Sequence, residues 1–406
     1  MKKMVQLFPL SVLLSGLLLL VSAAGFAQAG MPPLLPSQKA KAGQAAPLQD
    51  LSALPSTRTP ASAPATIAPS QWDDLVKAAR KEGKVVIYGA EIAETRTPIT
   101  QAFKEKYGIS IEAIGGRPSE IIAMIKAERA AGLFVQDVGL IGNSSLIQDI
   151  KPLGITVPLD DLLVLPEVKN PAKWRTGELP FLDKDHHSIA MVAMAVPVVV
   201  RNTDLTKESQ ITSILDFLKP EWKGKFILSD PAIAGSANNF FTLLASKTFG
   251  MEKTLEFLRQ LAAQEPAITR DQNLLLEWVA RGKYPLAIGQ SAAGFDRFKK
   301  TGAPITYVKL KEPPFISSGA GNLMVFDKAP HPSATKLFVN WLLSKEGASV
   351  WSPNHGYPSQ RLDVSKEGWD PILVPPPGTN IPDESYLKLQ GELRKVANDT
   401  FAPLRK

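Results

Sequence analysis

The chain has 406 residues, of which 44% are apolar, and a formal charge of +7. This length exceeds that of one ordinary domain and supplies apolar side chains for two cores, so we expect two domains. Cysteine is absent, which excludes a disulfide framework and a lipid-bearing cysteine. Five of the 46 basic residues and one of the 39 acidic residues fall within the first 70 positions, which leaves a charge of +3 for the rest. That balance excludes the strongly basic signature of a nucleic-acid-binding protein.

The first 29 residues have the order of charge, apolar run and small residues that is typical of a secretory signal peptide. Lys2 and Lys3 precede the apolar stretch 7–21, and Ala27 and Ala29 are spaced as A-x-A. A membrane span needs about 18 apolar residues, and no later apolar run approaches that length, so we expect a soluble protein. The signal peptide predicts export to the periplasm. Residues 30–70 are rich in Pro, Ala and Ser and are predicted to be a disordered linker.

The folded part is predicted to begin with a helix capped by Ser70, with Asp73 as the acid of a capping box. Strands and helices then alternate, which predicts parallel strands with right-handed crossovers. In such sheets ligands bind at the carboxyl ends of the strands. The predicted strands of this first series are 84–88, 109–114 and 134–140, and its later helices start near Thr97 and Ser119.

A long apolar stretch, 189–200, is followed by a second α/β series. Its predicted helices are 236–249, 254–263 and 274–281, and its predicted strands are 226–228, 285–288 and 305–308, before a further strand at 323–326 and a late helix around Trp341.

Three stretches, taken together, resemble the type II periplasmic solute-binding proteins of ABC transporters, in the extracellular group that includes the ferric-iron receptors. They are Val196–Leu205, Ile214–Pro231 with its W-K-G-K turn and D-P, and Ala329–Gly347. The resemblance implies an α/β fold of two domains, each a mixed, mostly parallel sheet flanked by helices, with a two-strand hinge. It places domain one at 70–200 plus 305–375 and domain two at 201–304, with crossings near Val200 and Pro304. A C-terminal helical tail, 376–406, is expected to dock on the surface through a helix over 384–398.

The resemblance also implies a function. A periplasmic receptor of this kind captures a small solute in the interdomain cleft by hinge closure and delivers it to the ABC permease subunits in the inner membrane. It implies a monomer that is not an enzyme and binds no nucleic acid. One departure concerns the ligand, because ferric-iron members carry two adjacent tyrosines where this chain reads GQSAAG at 289–294. We therefore expect an anionic or oxygen-rich organic solute, with a ferric ion held beside an anion as the alternative.

The candidate ligand contacts lie in the loops after the predicted strands. Arg117 stands at a helix start, where an anion is favoured, although an ion pair with Glu120 is the alternative. Small and hydrogen-bonding residues mark the other loops, with helix capping, edge packing for Tyr88 and an exposed ion pair for Arg270 as alternatives. The full set is Tyr88, Gly89, Arg117, Ser119, Gly142, Asn143, Ser144, Asp230, Gly235, Ser236, Arg270, Gln290 and Ser291.

No motif predicts catalysis, a cofactor or a metal site. The adjacent His186 and His187 are interpreted as a solvated loop, because neighbouring side chains point apart on most backbones. The sequence contains no G-x-S-x-G elbow, H-E-x-x-H pair or phosphate-binding loop. Two functions of other classes stay open: a ligand sensor that docks on a membrane kinase, and an enzyme without a recognisable motif.

Overall fold

The computed structural model describes residues 67–90, 93–233, 235–290, 295–377, 379–382 and 384–405. The predicted signal peptide, nearly all of the predicted linker and the candidate contact Ser291 lie outside these residues. None of the helices in the described ranges combines the length and the apolar character that crossing a membrane requires.

Helices and strands alternate along most of the described chain, as the hydrophobic pattern predicts. The strands are β1 Lys84–Ala90, β2 Ser110–Gly116, β3 Val138–Ile141, β4 Thr156–Val157, β5 Ser188–Ala190, β6 Met194–Val196, β7 Val199–Asn202, β8 Phe226–Ser229, β9 Ala267–Thr269, β10 Leu286–Ile288, β11 Ile305–Tyr307, β12 Phe315–Ser317 and β13 Asn322–Phe326. The helices are α1 Pro69–Glu82, α2 Ala93–Tyr107, α3 Pro118–Ala130, α4 Asn143–Ser145, α5 Pro166–Lys169, α6 Ser236–Leu243, α7 Met251–Ala263, α8 Gln272–Ala280, α9 Phe295–Lys300, α10 Pro332–Leu343, α11 Lys345–His355 and α12 Glu384–Phe401.

Two mixed sheets organise these elements. The first sheet has the order β2-β1-β3-β13-β4, with β5 also on β13; β1 is parallel to β2 and β3, and β13 is antiparallel to its neighbours. The second sheet has the order β11-β7-β10-β8-β9, with β8 parallel to β9 and β10 and with β7 antiparallel to β10 and β11. The predicted α/β class with a sheet in each half is therefore confirmed.

A two-stranded antiparallel ribbon, formed by β6 and β12, connects the two sheets. Val196 pairs with Phe315 and Met194 pairs with Ser317. The chain leaves the first sheet after β5, passes through β6 and enters the second sheet at β7; it returns from β11 through β12 to β13. The ribbon thus ends 4 residues before the crossing expected near Val200 and begins again 11 residues after the one expected near Pro304. Strand β11, which the expected bounds place in domain one, therefore belongs to the second sheet.

Aromatic side chains fill the core between the first sheet and its helices. The Phe103 ring on α2 lies 5.2 Å from the rings of both Phe338 and Trp341 on α10, and all three side chains are buried. In the second half, α6 and α7 pack against α12, and Phe240 and Phe401 are both buried in the apolar cluster there. Burial of such side chains is the main stabilising contribution to each half.

Three local predictions are wrong. Helix α2, expected to start near Thr97, begins at Ala93 and contains Pro98. Helix α1 begins at Pro69, with Ala68 as the N-cap, because proline suits the first helical position and its missing N–H costs nothing there; Ser70 lies inside the helix. The predicted strand over 134–140 forms only from Val138, since Phe134 is half exposed and packs under the cations of Arg129 and Lys328.

Candidate functional site

The candidate loops of each sheet meet at one edge, because the strands before them are parallel and in register. In the first sheet Gly89 pairs with Gly115 on β2 and with Leu140 on β3, so the loops that hold Arg117 and Asn143 start from the same edge. In the second sheet β8 and β10 are parallel, with Leu228 opposite Ile288. The loops after these strands, which begin at Asp230 and Gly289, therefore also share an edge.

Arg117 is the N-cap of α3 and its charge is neutralised locally. The Glu120 carboxylate accepts hydrogen bonds from the backbone N–H of Arg117 at 3.0 Å and from its Nε at 2.9 Å. These bonds raise the pKa of Arg117 and lower the pKa of Glu120. Both side chains are exposed. The ion pair that the sequence left open as an alternative is present, and the helix start beside Ser119 already holds a carboxylate of the chain itself.

Tyr88 lies in the core and not on the surface of its loop. Its side chain is buried, and its hydroxyl donates a hydrogen bond to Oε1 of Glu128 on α3 at 2.9 Å. Burial raises the pKa of Tyr88, and the neighbouring Glu128 raises it further. The phenol of Tyr88 is therefore neutral, and its hydrogen-bond partner Glu128 belongs to the first half of the molecule. Gly89 is the next residue of the same strand.

The loop after β3 contacts the C-terminal segment, which the sequence did not predict. Gly142 caps the short helix α4, and Asn143 and Ser144 begin it. Nδ2 of Asn143 donates to the carbonyl oxygen of Pro382 at 2.6 Å. Oδ1 of Asn143 is buried and has no hydrogen-bond partner among the described residues.

Asp230 is buried between two arginines. Its Oδ2 accepts from Nε of Arg270 at 3.0 Å, and its Oδ1 accepts from the guanidinium of Arg405 at 3.0 Å and from the backbone N–H of Ala232 at 3.0 Å. Asp230 is fully buried, whereas 64% of the Arg270 side chain is exposed. The structure brings the two predicted residues together as an ion pair. Arg405 was missed, because nothing in the sequence links the chain end to a loop 175 residues earlier.

Gln290 lies against the start of α6. The preceding Gly289 has φ +86°, and a Cβ at that position would stand 2.6 Å from the Cβ of Ala237, so β10 ends in close contact with the first turn of α6 after Gly235 and Ser236. Gln290 is fully buried, and neither Oε1 nor Nε2 has a partner among the described residues. A buried amide without partners is costly.

The two adjacent histidines have separate partners. His186 pairs with Asp160 at 2.9 Å and its ring stacks 3.9 Å from that of Phe181, whereas Nδ1 of His187 lies 2.9 Å from Oγ1 of Thr156. Within the described ranges no three side chains from His, Cys, Asp and Glu are grouped so as to hold a metal ion.

The chain is similar to known bacterial proteins in sequence. The family model described as "Bacterial extracellular solute-binding protein" matches residues 99–373. The "Fe(3+)-binding periplasmic protein" of Serratia marcescens is 24% identical over 288 residues, which cover 69% of this chain and 80% of that protein.

Two solved structures share the fold. Iron-bound HitA from Pseudomonas aeruginosa superposes with a TM-score of 0.58 at 19% identity and covers 78% of this chain and 99% of its own. AfuA from Actinobacillus pleuropneumoniae, with fructose-6-phosphate bound, superposes with a TM-score of 0.55 at 20% identity and covers 79% and 98%. The fold is thus that of the two-domain periplasmic binding proteins.

Proposed function

Because the chain belongs to the family of bacterial extracellular solute-binding proteins, we propose that it is the periplasmic substrate-binding component of an ABC import system. Its solute binds between the carboxyl edges of the two sheets, and the closed form is the one that the membrane permease recognises. The halves that move are the two sheets with their helices, and the domain bounds shift from those expected to the ribbon, so that β7 and β11 move with the second sheet.

The ribbon supports the closing motion. β6 and β12 pair only with each other among the described strands, so the connection between the sheets is two strands wide. Small changes of φ and ψ in such a connection rotate large bodies, which is the usual hinge mechanism. The loops that begin at Gly142 and Asp230 lie at the strand edges where ligands of open α/β sheets bind.

The unpartnered amide of Gln290 is the observation that favours an oxygen-rich organic solute. An amide offers two donors and one acceptor oxygen, which suit hydroxyl and carboxyl groups. Two arginines around one carboxylate leave a net positive charge near the start of α6, which favours an anion. The six tyrosines of the chain all lie elsewhere, so no pair of phenolates follows β10.

A ferric ion is the second candidate ligand. The names of two similar proteins support it, the Fe(3+)-binding periplasmic protein of Serratia marcescens and iron-bound HitA. In this chain the ion would need oxygen atoms from a bound anion, because residues 289–294, GQSAAG, supply no hard anionic ligand.

The test is thermal unfolding of the protein with citrate, tartrate, glycerol 3-phosphate, phosphate and ferric citrate. A ligand at 100 times its Kd adds about 2.7 kcal/mol and raises Tm measurably. We expect a shift with an organic anion, its loss in Gln290→Ala, and its retention in Arg281→Ala, whose side chain is exposed and pairs with Glu277. A shift with ferric salts alone would overturn the organic ligand, and chemical turnover of a probe would favour the enzyme alternative.

A further inference from the structure

A cavity of about 160 Å³ lies where four parts of the chain meet. Its walls are the loop Gly142–Ser145 after β3, Asn239 on α6, the end of the ribbon at Phe315–Gly319, and two parts of the C-terminal segment, Ile381–Pro382 and Tyr386–Leu387. It therefore joins a candidate loop of the first sheet to a helix of the second. Complete ligand sites usually measure about 300–1,000 Å³, so this cavity has room for part of a solute.

Among the described residues that line the cavity, none carries a charged side chain. They include the hydroxyl groups of Ser144, Ser145, Ser317 and Ser318 and the amide of Asn239. A charge would lose its hydration here without meeting an opposite charge, which is costly. Hydroxyl groups, in contrast, exchange hydrogen bonds with serine and asparagine at little cost. The chemistry of the wall favours an uncharged polyol over an anion or a metal ion.

The apolar part of the wall also suits a carbon chain that carries hydroxyls. The rings of Phe315 and Tyr386 are stacked at a centroid distance of 6.1 Å. Burial raises the pKa of Tyr386, so its phenol stays neutral. Its hydroxyl donates to the backbone oxygen of Asn239, which ties α12 to α6.

Pro382 determines which atom of Asn143 is left for a ligand. A carbonyl oxygen can only accept, so the atom of Asn143 that lies 2.6 Å from it is the amide nitrogen. The side-chain oxygen of Asn143 then remains as a buried acceptor without a partner among the described residues. A hydroxyl that donates to this oxygen would remove the cost of the unpaired acceptor.

The C-terminal segment is held on both sides of Pro382. Before it, the Arg175 guanidinium donates to the backbone oxygen and to Oγ1 of Thr379, the latter at 3.2 Å. After it, Gln390 on α12 donates to the side-chain oxygen of Asn239. These contacts tie the described parts of the C-terminal segment on either side of Pro382 to the rest of the molecule.

We propose that this cavity is a subsite for an uncharged, hydroxyl-bearing part of the solute, and that Pro382 positions Asn143 to accept a hydrogen bond from it. The inference rests on the proposed function, since it concerns the same solute. Asn143 is the contact residue, and Pro382 acts through it.

The test compares probes that have the same charge and differ in hydroxyl groups: glycerol 3-phosphate with propyl phosphate, and tartrate with succinate. By titration calorimetry we expect the hydroxylated member of a pair to bind about threefold to tenfold more tightly, which is the worth of one or more hydrogen bonds. Asn143→Ala should abolish this preference. Asn354→Ala, which removes an exposed asparagine whose Nδ2 donates to Val350, should retain it.

Asn143→Asp tests the positioning role of Pro382. The aspartate keeps oxygen acceptors but sets one of them against the Pro382 carbonyl, so we expect the preference for hydroxyl groups to be lost. Retention of the preference in Asn143→Asp would overturn the role of Pro382. If Asn143→Ala fails to fold, Ser145→Val, which fills the cavity with methyl groups, should give the same loss.

The outcomes separate the two proposals. Equal affinity within each pair of probes overturns the subsite and leaves the receptor proposal intact. Binding of none of the four probes overturns the subsite together with the organic ligand.

Discussion

The ion pairs at the two candidate edges differ in burial, although each edge is formed by loops that follow parallel strands. At the edge of the first sheet, Arg117 and Glu120 form an exposed pair within one helical turn. At the edge of the second sheet, Asp230 is fully buried between Arg270 and Arg405. The comparison shows that similar strand, loop and helix arrangements acquire different electrostatics from burial and from partners distant in the sequence.

Burial decides how much each pair contributes to stability. An exposed pair is hydrated in the folded and the unfolded state, so its net contribution is small. A buried carboxylate has lost its hydration and depends on its partners, so loss of one side of the cluster leaves an uncompensated charge. We therefore expect mutations at the second edge to have the larger effects.

The largest effect is expected for Asp230→Ala. The substitution leaves the Arg405 guanidinium, only 21% exposed, without its carboxylate. We expect a loss of about 2–3 kcal/mol in the free energy of unfolding, measured by urea denaturation. Arg270→Ala, at the exposed side of the same cluster, should cost clearly less. If Asp230→Ala lowers the free energy of unfolding no more than Arg270→Ala does, burial does not determine how much each residue of the cluster contributes to stability.

Gln290→Leu should raise the free energy of unfolding, by an amount smaller than the loss expected for Asp230→Ala. Leucine has a similar size and removes a buried amide without partners, so we expect the ligand-free protein to gain about 1 kcal/mol. The same substitution should weaken binding of the organic anion found in the thermal screen. Chemical denaturation and calorimetry measure the two quantities separately. A loss of stability with unchanged affinity would mean that Gln290 serves the fold and not the ligand.

The smallest effect is expected for Glu120→Gln at the edge of the first sheet. The pair is exposed, so we expect no resolvable change in Tm at neutral pH. The substitution also removes the negative charge beside the start of α3, so added phosphate should stabilise the variant more than the wild type. A large loss of stability would contradict the contrast between the two edges.

Much of the fold follows from local patterns in the sequence. The β-branched and apolar runs placed β1, β2, β8 and β10 within one or two residues, and the parallel α/β order predicted which loops share an edge. Errors arose where two local signals disagreed. Ser70 favours an N-cap at position 70, but α1 begins at Pro69, because proline suits the first helical position. The helix of the C-terminal tail was predicted over 384–398 and extends to Phe401.

By itself, then, the sequence determined the alternation of strands and helices and the loops that share an edge. It also offered the pairing of Arg117 with Glu120 as one of two possibilities, because helical geometry brings residues three apart together. Only the tertiary structure decided that Arg405 pairs with Asp230 and that Pro382 contacts Asn143, across separations of 175 and 239 residues. These contacts depend on the packing of α12 against α6. That packing is directed by buried apolar surface, which has no fixed spacing along the chain and so leaves no local signal of the polar groups that it brings together.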